Sequence, residues 1–163
     1  MFQFKNGRFY ANVACRREPH TLSFAIPEGC WIENQPVIVS SHFIPLYSPD
    51  QEVYIDLWAE AEDEEDFREA LEESTREDGN QCLEGPDAVA VNGLEGYSAI
   101  YEGGSELFYE VVLDVRKYGM VDKTEDTEIS CARLVVHTGK DKDIRDVVAS
   151  ETVQAALHGI RVD

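Results

Sequence analysis

Two runs of every-second-residue hydrophobicity sit back to back in this chain, and they demand a β-sheet. Tyr97, Ala99 and Tyr101 form the first, and Leu107, Tyr109, Val111, Leu113 and Val115 form the second, with Gly103-Gly104-Ser105 between them. A period of two puts each set on one side of a strand. Burying both sets on one face requires Tyr101 opposite Leu107, Ala99 opposite Tyr109 and Tyr97 opposite Val111. That register predicts an odd loop over 103–105 with a bulge.

The same signal recurs along the chain. Asn6-Gly7 predicts a two-residue hairpin turn with Phe4 facing Phe9 and Phe2 facing Ala11. Leu22, Phe24 and Ile26 share one face, as do Val53, Ile55 and Leu57, with Tyr54, Asp56 and Trp58 on the opposite side. Ala132, Leu134 and Val136 mark the core side of a strand over 130–137. Val37-Ile38-Val39 reads as a short buried strand, and the prolines at 36, 45 and 49 make Phe43–Pro49 an edge or loop segment. Cys82–Asp87 reads as a loop, Ala88–Val91 as a short strand, and Gly93-Leu94-Glu95-Gly96 as a turn.

Helical sequence is confined to two places. Glu60–Asp78 has strong helix formers, no proline, and Gly79-Asn80 as a left-handed stop. Phe67, Ala70, Leu71 and Ser74 give its buried stripe, while Glu64, Arg68, Glu72 and Arg76 give a ladder of alternating charge. Near the end, Ile144, Val147, Val148, Val153, Ala156 and Leu157 follow helical spacing, with Ser150 placed to cap a second piece and Gly159 to stop it. At 163 residues the chain suits one domain over 1–163, of α+β class, with an antiparallel sheet flanked by helices.

Charge narrows the function. Fourteen Lys and Arg against 33 Asp and Glu give −19. Phosphate backbones need clustered cations, so nucleic acid is not an expected partner, and anionic lipid is disfavoured in the same way. The first residues carry no apolar signal stretch, so the expected compartment is the cytoplasm. Cys15, Cys30, Cys82 and Cys131 are then read as buried or half-buried thiols rather than bridges.

Reaction motifs are missing. There is no G-x-x-x-x-G-K-[ST] phosphate loop, no G-x-G-x-x-G after a strand and no G-x-S-x-G elbow. His20, His42, His137 and His158 stand apart from one another. Cys131 and His137 share a strand face but lie roughly 20 Å apart along it, too far for one metal. Arg133 shares that face, which makes it a half-exposed sheet surface. Asp122-x-Thr124-x-Asp126 opens like a calcium loop, but Thr127 replaces the turn glycine and Arg133 the final glutamate. No metal, no cofactor and no catalytic residue are expected.

What remains is a surface. From Glu60 to Asp78, eleven acids against Arg68 and Arg76 give −9. Such a surface solubilises the chain, and it steers a basic protein partner. The candidate contact residues are Tyr54, Asp56 and Trp58 with Glu65, Glu69, Glu72 and Glu73, since aromatics dominate interface energetics. The expected role is a non-catalytic accessory or adaptor domain that binds another protein. The alternatives are a carboxylate-based hydrolase or small-molecule binder, and an acidic nucleic-acid mimic that inhibits a basic protein.

The order of elements resembles one family. Ile26-Pro27-Glu28-Gly29-Cys30-Trp31 closes an early strand with a Pro-x-Gly-x-Trp step, an acidic helix follows a strand, and a hairpin over 96–115 precedes Ile144-x-x-Val147-Val148-Ala149-Ser150. In these features the chain resembles the PsbP-like superfamily over most of residues 9–160. The resemblance implies an α/β/α sandwich and an accessory, protein-binding role, and assigns no role to any individual residue.

Overall fold

Asn6 and Gly7 take φ of 53° and 74°, the left-handed pair that a tight hairpin turn needs. They join β1 (Phe2–Lys5) to β2 (Arg8–Ala11), with Phe4 opposite Phe9 and Phe2 opposite Ala11 as expected. The computed structural model describes residues 2–32 and 42–163. The strand expected at Val37–Val39 therefore lies outside the described residues.

After β3 (Val13–Cys15) come β4 (Leu22–Ala25), β5 (Trp31–Ile32), β6 (Phe43–Ser48) and β7 (Val53–Glu60). Helix α1 (Phe67–Ser74) leads into β8 (Gln81–Val91), β9 (Leu94–Gly103) and β10 (Glu106–Asp114). The chain finishes through β11 (Met120–Asp122), β12 (Cys131–Gly139), α2 (Ile144–Ala149), α3 (Glu151–His158) and β13 (Arg161–Val162).

The architecture is mainly β. Among the described residues, seven antiparallel strands run in the order β5-β6-β7-β12-β10-β9-β8, four in the order β1-β2-β4-β13, and β3 pairs with β11. One core joins them. Ile44, Leu46, Ile55, Leu57, Val111, Leu113, Leu134 and Val136 line one face of the large sheet, and pack with Leu22 and Phe24 of the smaller sheet and with Val147, Val153 and Leu157 of α2 and α3. The opposite face has its own small cluster, in which Phe67 and Leu71 of α1 cover Ala99, Val112 and Cys131.

Capping in the last helices follows the sequence. The Ser150 hydroxyl accepts from Val153 N at 3.3 Å, and Gly159 caps α3. Across the molecule, the Asn92 side chain in the β8–β9 turn donates to the carbonyls of His158 and Ile160, both at 2.8 Å. This fastens that turn to the end of α3.

Several expectations are corrected. The acidic helix is shorter than Glu60–Asp78. Leu57 and Ala59 keep pointing into the core, so β7 runs on to Glu60, whose carbonyl accepts from Ser130 N at 3.0 Å. Beyond it, Glu62 and Glu64 side chains accept from the backbone N–H groups of Glu64 and Asp66, local bonds that compete with helix formation. Asp66 then starts the helix by accepting from Arg68 N and Glu69 N. Of the charge ladder only Arg68–Glu72 forms, at 3.5 Å, because Glu64 and Arg76 lie outside the helix.

The central hairpin has another register. Tyr101 faces Phe108 and Glu106 faces Gly103, which leaves Gly104-Ser105 as an even turn, with Gly104 at φ 58°. Tyr97, Ala99 and Tyr101 therefore share a face with Phe108, Glu110 and Val112, not with Val111. The reason is α1: a strand covered on both sides has no single apolar face to fix its pairing. Cys82–Asp87 is not a loop but the bulged half of β8, and the turn after it is Asn92-Gly93, with φ 50° and 78°. Phe43–Ser48 is a full strand paired with β7 along its length, and β5 lies on its other side.

Candidate functional site

The expected contact residues fall into three places. Tyr54, Asp56 and Trp58 line one side of β7, but each has a neighbour. Tyr54, 39% exposed, stacks on His137 with ring centroids 5.0 Å apart. Trp58 stacks on Phe43 at 3.8 Å, and Asp56 lies 3.2 Å from His137 Nε2. Glu69, Glu72 and Glu73 line a shallow concavity with Arg76 and Glu77. Glu65 lines a separate and larger groove.

Between these places lies a polar network on the same sheet face. Arg133 reaches up from β12 among three carboxylates: Glu60 Oε1 is 2.7 Å from its Nε, Glu110 Oε2 is 2.6 Å from Nη1, and Glu62 pairs with Nη2. The Nε contact lies off the hydrogen-bond direction and is an ion pair only. Side-chain exposure is 12% for Arg133 and 4% for Glu110, so this is a buried pair rather than a surface one. Tyr101 closes the network by donating its hydroxyl to Glu110 Oε1 at 2.8 Å.

The protonation states follow from packing. Burial opposes the charge on Arg133, but the carboxylates more than offset it and raise its pKa. Burial also raises Glu60, helped by Glu62 and Glu110, despite the guanidinium beside it. One cation among three acids leaves Glu60 the odd member. The Tyr101 phenol is pushed up by burial and then by Glu110. Cys131, buried at the α1 end of this face, has its thiol pushed up to about 12 by burial and is no nucleophile.

Along β12, His137 stands between two acids, with Nδ1 2.7 Å from Glu106 Oε2. Burial works against its charge, yet hydrogen bonds to Asp56 and Glu106 raise its pKa. The ring also neighbours Phe108, whose own ring stacks on Tyr101 at 4.8 Å. Sharing of one face by Arg133 and His137 is the part that alternation predicts. Their partners come from β7, the segment after it, and β10, and no local pattern announces them. A second buried pair, His42 and Asp122 at 2.5 Å, lies elsewhere. Burial holds that imidazole low, whereas N–H groups of Thr124 and Glu125 keep Asp122 ionised in spite of burial.

These acids converge on Arg133 and His137, not on open space. Among the described residues no three His, Cys, Asp or Glu side chains form a metal-binding group, and no helix is long and apolar enough to cross a membrane. All four cysteines are unbridged.

The open space lies at the other end of α1. A groove of about 830 Å³ is lined by Glu65, Asp66 and Phe67 at the helix start, by Ala88, Val89 and Ala90 of β8, and by Glu95, Gly96, Tyr97, Asp114 and Arg116. Arg116 is already held: its guanidinium meets both oxygens of Asp114 and donates to the Glu65 carbonyl at 2.8 Å. It also lies 4.3 Å from the Phe67 ring centroid. Those bonds from Arg116 bring Asp114 below the usual carboxylate range despite burial. Glu65 and Glu95 are exposed at the rim. Set against known proteins, the chain matches no family model, no curated protein and no solved structure.

Proposed function

We propose that this chain is a non-catalytic binding domain that takes a positively charged protein partner on the α1 side of its large sheet. The groove beside α1 carries the reading. Four carboxylates, from Glu65, Asp66, Glu95 and Asp114, stand round a floor of Phe67, Ala88 and Tyr97, with Arg116 the one cation lining it among the described residues. A whole-chain charge of −19 adds long-range attraction for such a partner. The hydrolase alternative is less well supported, because the acids that do converge are already paired with Arg133 and His137. A nucleic-acid mimic would meet the same class of partner, but a partly apolar groove favours a protein chain.

The proposed PsbP-like relationship belongs to the same reading. It draws support from helices placed against both faces of an antiparallel sheet, and it leads to the same accessory role.

The test is affinity capture with the tagged full chain at about 50 mM and about 500 mM salt, set beside the double variant Glu65→Lys, Glu95→Lys. Stoichiometric recovery of a basic protein by the wild type at low salt only, and its loss in the variant, is the expected result. Recovery unaffected by both salt and charge reversal sinks the proposal, and so does turnover of a substrate at the Arg133 cluster.

A further inference from the structure

The two halves of β8 treat their outer edge differently. Unpaired sheet edges invite strand addition, and proteins block them with charge, proline and bulges. From Gln81 to Pro86 the strand has all three: Glu84, Pro86, and register shifts against β9 between Cys82 and Glu84 and between Glu84 and Asp87. From Asp87 to Val91 it has none beyond Asp87 itself. Asp87 faces Ser98, Ala88 faces Tyr97, Val89 faces Gly96, Ala90 faces Glu95 and Val91 faces Leu94, without interruption. β8 ends the seven-stranded sheet, and among the described residues its outer side pairs with nothing.

Which backbone groups face outward follows from the turn. Asn92-Gly93 is a two-residue loop, so Val91 and Leu94 close it as a hydrogen-bonded pair, and bonded pairs alternate from there. Val89 bonds inward to Gly96. Ala88 and Ala90 therefore turn their N–H and C=O groups away from β9. Both are exposed, and both border the acidic groove. Being opposite Tyr97 and Glu95, their methyls form its floor on the α1 side, where small side chains leave room above.

We propose that Asp87–Val91 accepts an extended, basic segment of a partner protein as an added strand. The segment's backbone would pair with Ala88 and Ala90, and its alternate lysine or arginine side chains would reach over the groove to Glu65 and Glu95. Charge selects this occupant over a second copy of the chain. Two copies meeting at this edge would set Glu84, Asp87 and Glu95 against their own kind, with −19 on each chain. Main-chain bonds supply affinity in such a mode, while side-chain charges supply selectivity. This inference rests on the proposed binding of a basic partner and specifies its geometry.

The probe is a capped seven-residue peptide of alternating lysine and valine, titrated into the full chain at about 50 mM salt. A second peptide carries N-methyl groups on two adjacent central residues, which blocks both of its edges at the centre but keeps every charge. Amide NMR shifts and hydrogen exchange are read at Ala88 and Ala90. The expected result is binding, with exchange of these two amides slowed and with affinity at least about tenfold weaker for the methylated peptide. Ala90→Pro removes an outward N–H without touching the β9 ladder and is expected to weaken the unmethylated peptide by a similar factor. Equal affinity for the two peptides overturns strand addition and leaves the acidic groove as a charge-only site. Failure of both peptides to bind, or binding undiminished at about 500 mM salt, overturns the basic-partner reading as well. Dimerisation of the free chain through β8 overturns the choice of occupant.

Discussion

Tyr101 and Glu110 are diagonal neighbours across β9 and β10, and the phenol hydroxyl meets one carboxylate oxygen at 2.8 Å while Arg133 meets the other at 2.6 Å. Both oxygens of a buried acid are thereby satisfied from different strands. Tyr101→Phe withdraws one donor from an ionised acceptor and is expected to cost about 1.5 kcal/mol. Arg133→Met strands three carboxylates together and is expected to cost about 3 kcal/mol or more. Urea unfolding near neutral pH measures both. A smaller effect for Arg133→Met than for Tyr101→Phe contradicts this account of the network.

His137 adds a pH dependence. Its pKa in the fold lies above the ordinary 6.5, so the folded state holds the proton more tightly than the unfolded chain. That contribution is complete below the ordinary value and fades as pH rises through the folded one. The stability advantage of wild type over His137→Gln is therefore expected to shrink as pH rises above the ordinary imidazole value of 6.5. A proton NMR titration of the imidazole must also show a midpoint above the free value.

Glu60 works in the same direction for a different reason. Burial and its acidic neighbours raise it above 4.5, so its ionisation weighs against folding as pH climbs past that value. Glu60→Gln removes the titration and keeps the shape. Relative to wild type, the variant is expected to gain stability as pH rises above the ordinary carboxylate value of 4.5. A parallel pair of stability curves over that range would contradict the raised value.

Two glycines separate close approach from backbone twist. A Cβ on Gly96 would lie 1.8 Å from the Val112 carbonyl oxygen, which belongs to the facing strand. Gly96→Ala is expected to cost about 3 kcal/mol, because backbone must move. At Gly104 nothing lies within 4 Å, but φ is 58°, and Gly104→Ala is expected to cost about 1 kcal/mol. Thermal unfolding of both variants checks the order.

Alternation read the molecule well wherever one face alone is buried. Ile55 and Leu57, Leu134 and Val136, and Phe4 opposite Phe9 all lie where the period of two puts them. It misled at β9 and β10, because Val112, which pattern reading turns to solvent, is buried under α1 together with Ala99. The acidic segment misled in another way. Helix propensity favours Glu62, Glu64 and Glu65, but carboxylates accepting from neighbouring N–H groups hold that stretch outside the helix. Of the candidate site, the β7 aromatics and the common face of Arg133 and His137 were legible. The groove was not, since Glu65, Ala88, Glu95 and Asp114 are brought together only by the sheet order.

The amide of Asn92 holds two carbonyls that lie 66 and 68 residues further along the chain. A hairpin tip so moored cannot swing freely, so the neighbouring ribbon from Asp87 to Val91 is kept in place before any visitor arrives. Severing that tether with Asn92→Gly would preserve the turn's left-handed geometry yet set its tip adrift. The proposed strand addition would then have to still that ribbon instead of meeting a ready-made rail.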